Sequence, residues 1–248
     1  MMAGAASAVD IPDHELKRIG ERIFANECAS KAACLTSWNE GEDFASMGIG
    51  HFIWYPPARR GPFAESFPGL LLFMRHQGIA LPTWLDARHP RLPWDSRSEF
   101  IAARQNPRML ELRAFLARTK KTQALFMARR MEGALPRILA RAEPDSREHI
   151  RSQFYRVAQH GNGMYILIDY VNFKGEGVLT SERYQGRGWG LLQVLEAMPD
   201  SGRSAAAVHD FAAAAERVLT RRVRNAPRAR YEKRWLAGWL KRVRGYVD

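Results

Sequence analysis

The placement of helix breakers constrains this chain more than any other feature. Gly78, Asn106-Pro107, Pro144, Pro199 and Pro227 fall between stretches whose apolar residues recur at helical spacing. So do the runs LPTW, HPRLPW, HGNG, GEG and GRG. Helices are therefore expected near 67–76, 97–105, 108–119, 121–141, 146–158, 163–173, 189–198, 204–222 and 230–244. Pro136 lies inside one of these and is expected to kink or split it. Upstream, residues 13–28 also read as a helix: Leu16, Ile19, Ile23 and Phe24 share one stripe, and Asp13 is placed to cap it. Residues 35–55 differ. LTSWN and MGIGHFIWY, rich in β-branched and aromatic side chains, flank a polar EGED, as in a β-hairpin. Pro56-Pro57 and Gly61-Pro62 then mark a loop. The expected fold class is α+β, mainly α: one helical domain with a small N-terminal β-hairpin.

Composition bounds the rest. The 248 residues are 46% hydrophobic, enough for a substantial core and too apolar for global disorder. No apolar run is long enough to span a bilayer. Basic residues outnumber acidic ones, 38 to 26, for a formal charge of +12. That excess favours a polyanionic partner such as nucleic acid, an anionic envelope polymer or an acidic membrane surface, and argues against cationic glycans. The opening MMAGAASA reads either as the remnant of a signal peptide ending at Ala6-Ser7-Ala8 or as a flexible Ala-rich start. The first reading places the protein in the periplasm or outside the cell. The two cysteines, Cys28 and Cys34, are expected to be free thiols, because in a continuous helix six residues rise about 9 Å, too far for a bridge. A disulfide requires the helix to end between them.

A helix ending in Glu27, followed by a hairpin carrying Gly48-Ile49-Gly50-His51, resembles the phage-type members of the lysozyme-like superfamily. In that family an acid Glu closes the first helix. A carboxylate lies eight residues before the first Gly of the motif and a hydroxyl two residues before it. Here those positions hold Glu40 and Ser46, and the interval from Glu27 to the motif is a few residues longer. The likeness covers about residues 15–55. It implies a peptidoglycan glycan-strand hydrolase or lytic transglycosylase, with Glu27 as general acid, Glu40 as second carboxylate and Ser46 assisting.

The chemistry asks for these residue types independently of the likeness. Cleaving a glycosidic bond takes one carboxylic acid to protonate the leaving oxygen and usually a second carboxylate across the sugar. The acid belongs in an apolar niche, which Phe24, Cys28 and Trp38 are expected to supply, and the second carboxylate in a polar one. Gly48 and Gly50 are expected to let the backbone approach a sugar or bend where a Cβ would clash. His51 is expected to be structural, at the edge of the substrate site.

Farther along, Gly190-Leu191-Leu192-Gln193 resembles the Gly-Leu-Met-Gln motif of soluble lytic transglycosylases and goose-type lysozymes. Their single catalytic Glu precedes the motif by about fifteen residues, and here Glu176 precedes Gly190 by fourteen, although without the usual following Ser. Glu176 is thus a rival acid, or a second carboxylate facing Glu27 across a cleft. Tyr184, Trp189 and Gln193 join it as expected sugar contacts. The basic C-terminal stretch with Trp235 and Trp239 reads as an amphipathic helix docked by its Trp stripe, with nucleic-acid or membrane binding as alternatives. No HExxH or Cys/His pairing suggests a metal, and no cofactor is expected. Together these readings give residues 9–248 as one lysozyme-like domain with a helical C-terminal extension, monomeric, exported, and acting on peptidoglycan or a related anionic envelope glycan. The alternatives are a silent envelope-glycan binder and a basic nucleic-acid-binding module.

Overall fold

A computed structural model describes residues 11–61, 63–200 and 206–247. The Ala-rich start with Ala6-Ser7-Ala8, Pro62, and the beginning of the helix expected at 204 lie outside them. The chain forms two compact units, one of Ile11–Met127 and one containing Ala128 onward. The described residues are mainly helical with a small antiparallel sheet. None of their helices is long and apolar enough to cross a membrane.

The first unit opens with α1, Asp13–Cys28, whose Leu16, Ile19, Ile23 and Phe24 are buried as the stripe predicts. Asp13 is not its cap: Pro12 holds that position, and the Asp13 carboxylate pairs with Lys121 at 2.8 Å. Three short strands follow, β1 Thr36–Ser37, β2 Ala45–Met47 and β3 Phe52–Trp54, in the order β1-β2-β3. The expected hairpin therefore has a third strand. Gly-Ile-Gly-His is not in a strand but forms the reversal between β2 and β3, where Gly48 (φ 70°) and His51 (φ 46°) take left-handed backbone. Helices α2 Phe67–His76, α3 Arg97–Ala102 and α4 Pro107–Arg118 complete this unit with the start of α5, Lys120–Arg141. Its core includes Trp54 against Phe67 and Phe52 against Phe126, at ring separations of 4.7 and 5.6 Å.

Pro136 does not split α5. Beside it, Arg137 Nη1 donates to the Gly133 carbonyl at 3.1 Å.

In the second unit α7, Gly163–Lys174, is apolar nearly all round and buried from Met164 to Tyr170. Around it lie α6 Arg147–Ala158, α8 Leu191–Ala197, α9 Ala207–Asn225 and α10 Lys233–Arg244. A two-residue turn at Gln185-Gly186, both with positive φ, joins β4 Arg183–Tyr184 to β5 Arg187–Gly188. The buried Asp169 of α7 accepts two bonds from Arg242, at 2.7 and 2.9 Å, and one from Tyr246 Oη. This tie holds the C-terminal helix onto α7, and losing one partner of such a buried pair costs roughly 3–5 kcal/mol. The Trp stripe of α10 is used only in part. Trp239 packs against Phe173, whereas Trp235 is 43% exposed.

The free-thiol expectation is overturned: Cys28 and Cys34 are bonded, with their Cα atoms 5.3 Å apart. The helix ends at Cys28 because Ala29 and Ser30 both adopt left-handed backbone, φ 46° and 56°, and turn the chain back. Neither is glycine, so the usual left-handed stop signal is absent there. Without reductant, the denatured protein should show no alkylatable thiol. Cys28→Ser/Cys34→Ser should lose about 2 kcal/mol of stability, as expected for closing so short a loop. Two reactive thiols would return α1 to a continuous helix.

Lys174 gives this unit a pH dependence. Its Nζ lies 3.2 Å from the Trp239 ring centre and 4.0 Å from that of Phe173. Burial, and then the charge of Arg222, pull its ammonium down to about 7. Between that value and the ordinary 10.5 the unfolded chain binds more protons than the folded one. Stability should therefore fall as pH drops from about 10 to 7 and level off below 7, where both states carry the proton. Denaturant titrations across that range should show a shallower slope for Lys174→Met than for the native protein. Identical slopes would place the ammonium in water.

Candidate functional site

In the first unit the expected residues lie at the end of α1 and along the small sheet. Glu27 occupies the last turn of α1 and is half-buried. The adjacent disulfide fixes that end of the helix. Cys34 Sγ lies 3.5 Å from the Glu27 carbonyl oxygen and 3.7 Å from His51 Nε2, so the helix end, the following 3₁₀ turn (Ala32–Leu35) and the Gly-Ile-Gly-His reversal meet at one sulfur. Glu40 sits exposed in the turn between β1 and β2, next to Gly41 with φ 81°. Ser46 is buried on the central strand, opposite Ser37 on one side and Ile53 on the other. Trp38 packs edge-on against Phe100 and donates from Nε1 to the Glu42 carbonyl at 2.8 Å.

The two glycines of the motif answer to their own surroundings. A Cβ on Gly48 would come within 2.2 Å of Gln123 Oε1, and one on Gly50 within 2.6 Å of the Phe52 ring. The Ile49 N–H donates to that same Gln123 oxygen at 2.9 Å, and the Gly48 N–H donates to the Leu35 carbonyl at 2.8 Å. Gln123 is fully buried, and its Nε2 donates to the Leu116 carbonyl and to Thr119 Oγ1. A glutamine 75 residues downstream of Gly48 thus anchors the reversal, and nothing in the local pattern announces it. Glu42 was also passed over. Its Oε2 is buried with no hydrogen-bond partner among the described residues, beside the open Glu40.

Donor atoms of Cys28, Cys34 and His51 lie within 4.8 Å of one another, a Cys/His grouping that the sequence spacing did not suggest. With the sulfurs bonded to each other no thiolate is offered, and the cluster is a structural crosslink beside a histidine.

In the second unit the expected sugar contacts serve the fold. Glu176 is ion-paired with Arg137, which donates to both carboxylate oxygens at 2.7 and 3.4 Å. Trp189 is buried, covered by Arg222 at 4.0 Å from its ring centre and by the Tyr184 ring at 4.5 Å. Tyr184 Oη donates to Glu232 at 2.8 Å. Gln193 is buried: its Oε1 accepts from the Gly190 N–H and its Nε2 donates to the Gly177 carbonyl. The Gly-Leu-Leu-Gln resemblance therefore marks a loop lock, in which Gly177, Gly188 and Gly190 have no room for a Cβ. Sequence reasoning missed Glu182 in the same loop. Burial holds its carboxyl above the ordinary range against the pull of backbone N–H groups. Gln193 also lines a cavity of about 360 Å³ with Arg141, Arg183, Arg187 and Arg221, opposite Glu143 and Glu196. Burial raises the Glu196 carboxyl and lowers the Arg221 guanidinium.

No family model matches this chain, and no curated protein or solved structure is significantly similar to it.

The anchoring of the reversal separates two glycines with nearly equal φ. Gly48→Ala should cost well over the roughly 1–2 kcal/mol of left-handed alanine, since Gln123 must also move. Gly41→Ala, with nothing within 4 Å of its added Cβ, should cost only the conformational part. Equal losses in chemical denaturation would remove Gln123 as the anchor.

Proposed function

We propose that this protein cleaves the β-1,4 bond between amino sugars of peptidoglycan, with Glu27 as general acid, Glu40 as second carboxylate and Ser46 assisting. One observation carries the reading. A helix closed by a half-buried Glu is followed by a carboxylate in the first sheet turn, a hydroxyl on the central strand and an anchored Gly-Ile-Gly-His reversal. The two carboxylates differ in solvation as the two roles require, one partly withdrawn from water and the other open to it. The disulfide beside Glu27 and the short contact to His51 supply the fixed support that a catalytic group needs. The formal charge of +12 and the arginine-lined cavity of the second unit suit an anionic glycan as substrate. Glu176 takes no acid role in this scheme, because Arg137 engages both of its oxygens. The bond is broken either by water or by internal attack that leaves an anhydro sugar, and both routes use the same acid.

Glutamine keeps the shape of Glu27 without a transferable proton. Glu27→Gln should therefore retain the fold and the capacity to pull down sacculi, while turbidity loss slows roughly 10²–10⁴-fold. Glu40→Gln should also be strongly impaired. Glu176→Gln, which breaks only a partly exposed ion pair, should stay near native turnover and lose at most about 1 kcal/mol. A folded Glu27→Gln protein that clears sacculi at the native rate would sink the assignment. A dead Glu176→Gln beside an active Glu40→Gln would move the acid to the second unit.

A further inference from the structure

The first unit contains a cavity of about 710 Å³ whose lining includes none of the proposed catalytic residues. It lies where the end of β3, helix α2 and the 87–91 loop converge. The volume is that of a small-molecule site. One wall is apolar, built by Trp54, Leu71 and Leu72. Trp54 and Leu71 are buried, and Leu72 is 49% exposed and forms the accessible part of that wall.

The polar lining is unbalanced. Arg75 is neutralised by Asp86 at 2.9 Å, and Glu65 accepts the Tyr55 N–H. Arg88 and Arg91, by contrast, have no ion pair or hydrogen bond among the described residues, and both line the cavity. Tyr55 lines the same cavity, but it is 3% exposed and its hydroxyl oxygen is buried away from it. A Cβ at Gly61 would stand 2.5 Å from that oxygen, so the Gly61 backbone packs closely against the hydroxyl.

We propose that this cavity binds an amphiphilic oxyanion. An apolar chain or ring lies against Leu72, over the buried Trp54 and Leu71, and a phosphate or carboxylate head meets Arg88 and Arg91. Guanidinium groups pair with either head in two-pronged fashion, and the apolar wall rejects a bare ion. The site is separate from the Glu27 reading and stands or falls without it.

Isothermal titration of the full chain with monomeric octyl phosphate, octanoate, inorganic phosphate and octyl glucoside tests this directly. One-site, saturable binding is expected for octyl phosphate or octanoate, and their order identifies the preferred head. Inorganic phosphate and the neutral glucoside should each bind about tenfold or more weakly, since each lacks one half of the recognition. Arg88→Ala/Arg91→Ala should weaken the anionic amphiphile about tenfold or more, and Tyr55→Phe, which removes only a buried hydroxyl, should leave it within about twofold. Leu72→Glu, at a position where folding tolerates a charge, should abolish binding by placing a carboxylate on the apolar wall. Thermal melting of each variant separates lost binding from lost fold. Absence of saturable binding by either anionic amphiphile overturns the proposal. So does binding that survives both the arginine pair and Leu72→Glu.

Discussion

The candidate site of the first unit depends on a single buried amide. Gln123 accepts the Ile49 N–H with one end and donates to Leu116 and Thr119 with the other, joining the sheet reversal to the α4–α5 corner. Every polar atom of that side chain is used, which makes the arrangement stabilising where a half-satisfied one would not be. The same amide dictates glycine at position 48, because any Cβ there would strike its oxygen. Removing the amide would leave the Ile49 N–H without a partner in a buried place, at roughly 1–3 kcal/mol for each group stranded. The position of His51, and through it the contact with the disulfide next to Glu27, follows from this anchor.

The elements that were legible in the sequence are those whose stabilisation is local and periodic. Helix α1 with its Leu16–Ile19–Ile23–Phe24 stripe, and the segments between the Pro and Gly breaks, fall within a few residues of their expected bounds. The sheet was legible as a region and not in detail. MGIGHFIWY reads as one β-prone run, yet the left-handed backbone at Gly48 and His51 folds it into two strands and a turn. The disulfide was hidden for a related reason. Alanine and serine at 29 and 30 do not advertise a left-handed stop, so helical geometry argued against a bridge that the chain reversal permits. Where burial decides, spacing was a poor guide. Trp189 and Gln193 have the composition of sugar contacts, but Arg222, Tyr184 and the Gly177–Gly190 loop use them internally. The 710 Å³ cavity draws on residues between 54 and 91 that no motif connects.

Charge organises the second unit differently. Two settings of its arginines stand in contrast. Arg222 and Arg242 are satisfied by Glu232 and the buried Asp169, and they stack on aromatic rings, so they belong to the packing of α10. The side chains of Arg141 and Arg187 have no ion pair or hydrogen bond among the described residues and line a cavity. The paired arginines contribute little field to a partner, whereas Arg141, Arg187 and the exposed Arg224, Arg228 and Arg230 leave the unit basic toward a polyanion. Part of the aromatic-interleaved basic stretch at the C-terminus thus serves to hold the last helix.

The central claim, that this fold cuts glycan strands, is tested most directly by mass spectrometry of the soluble fraction released from purified sacculi. The account predicts muropeptides ending at a broken β-1,4 bond, either as reducing sugars or as anhydro sugars, and the mass difference of one water distinguishes the two. Sacculi that release no soluble glycan fragments, or only peptides with the strands intact, would contradict it.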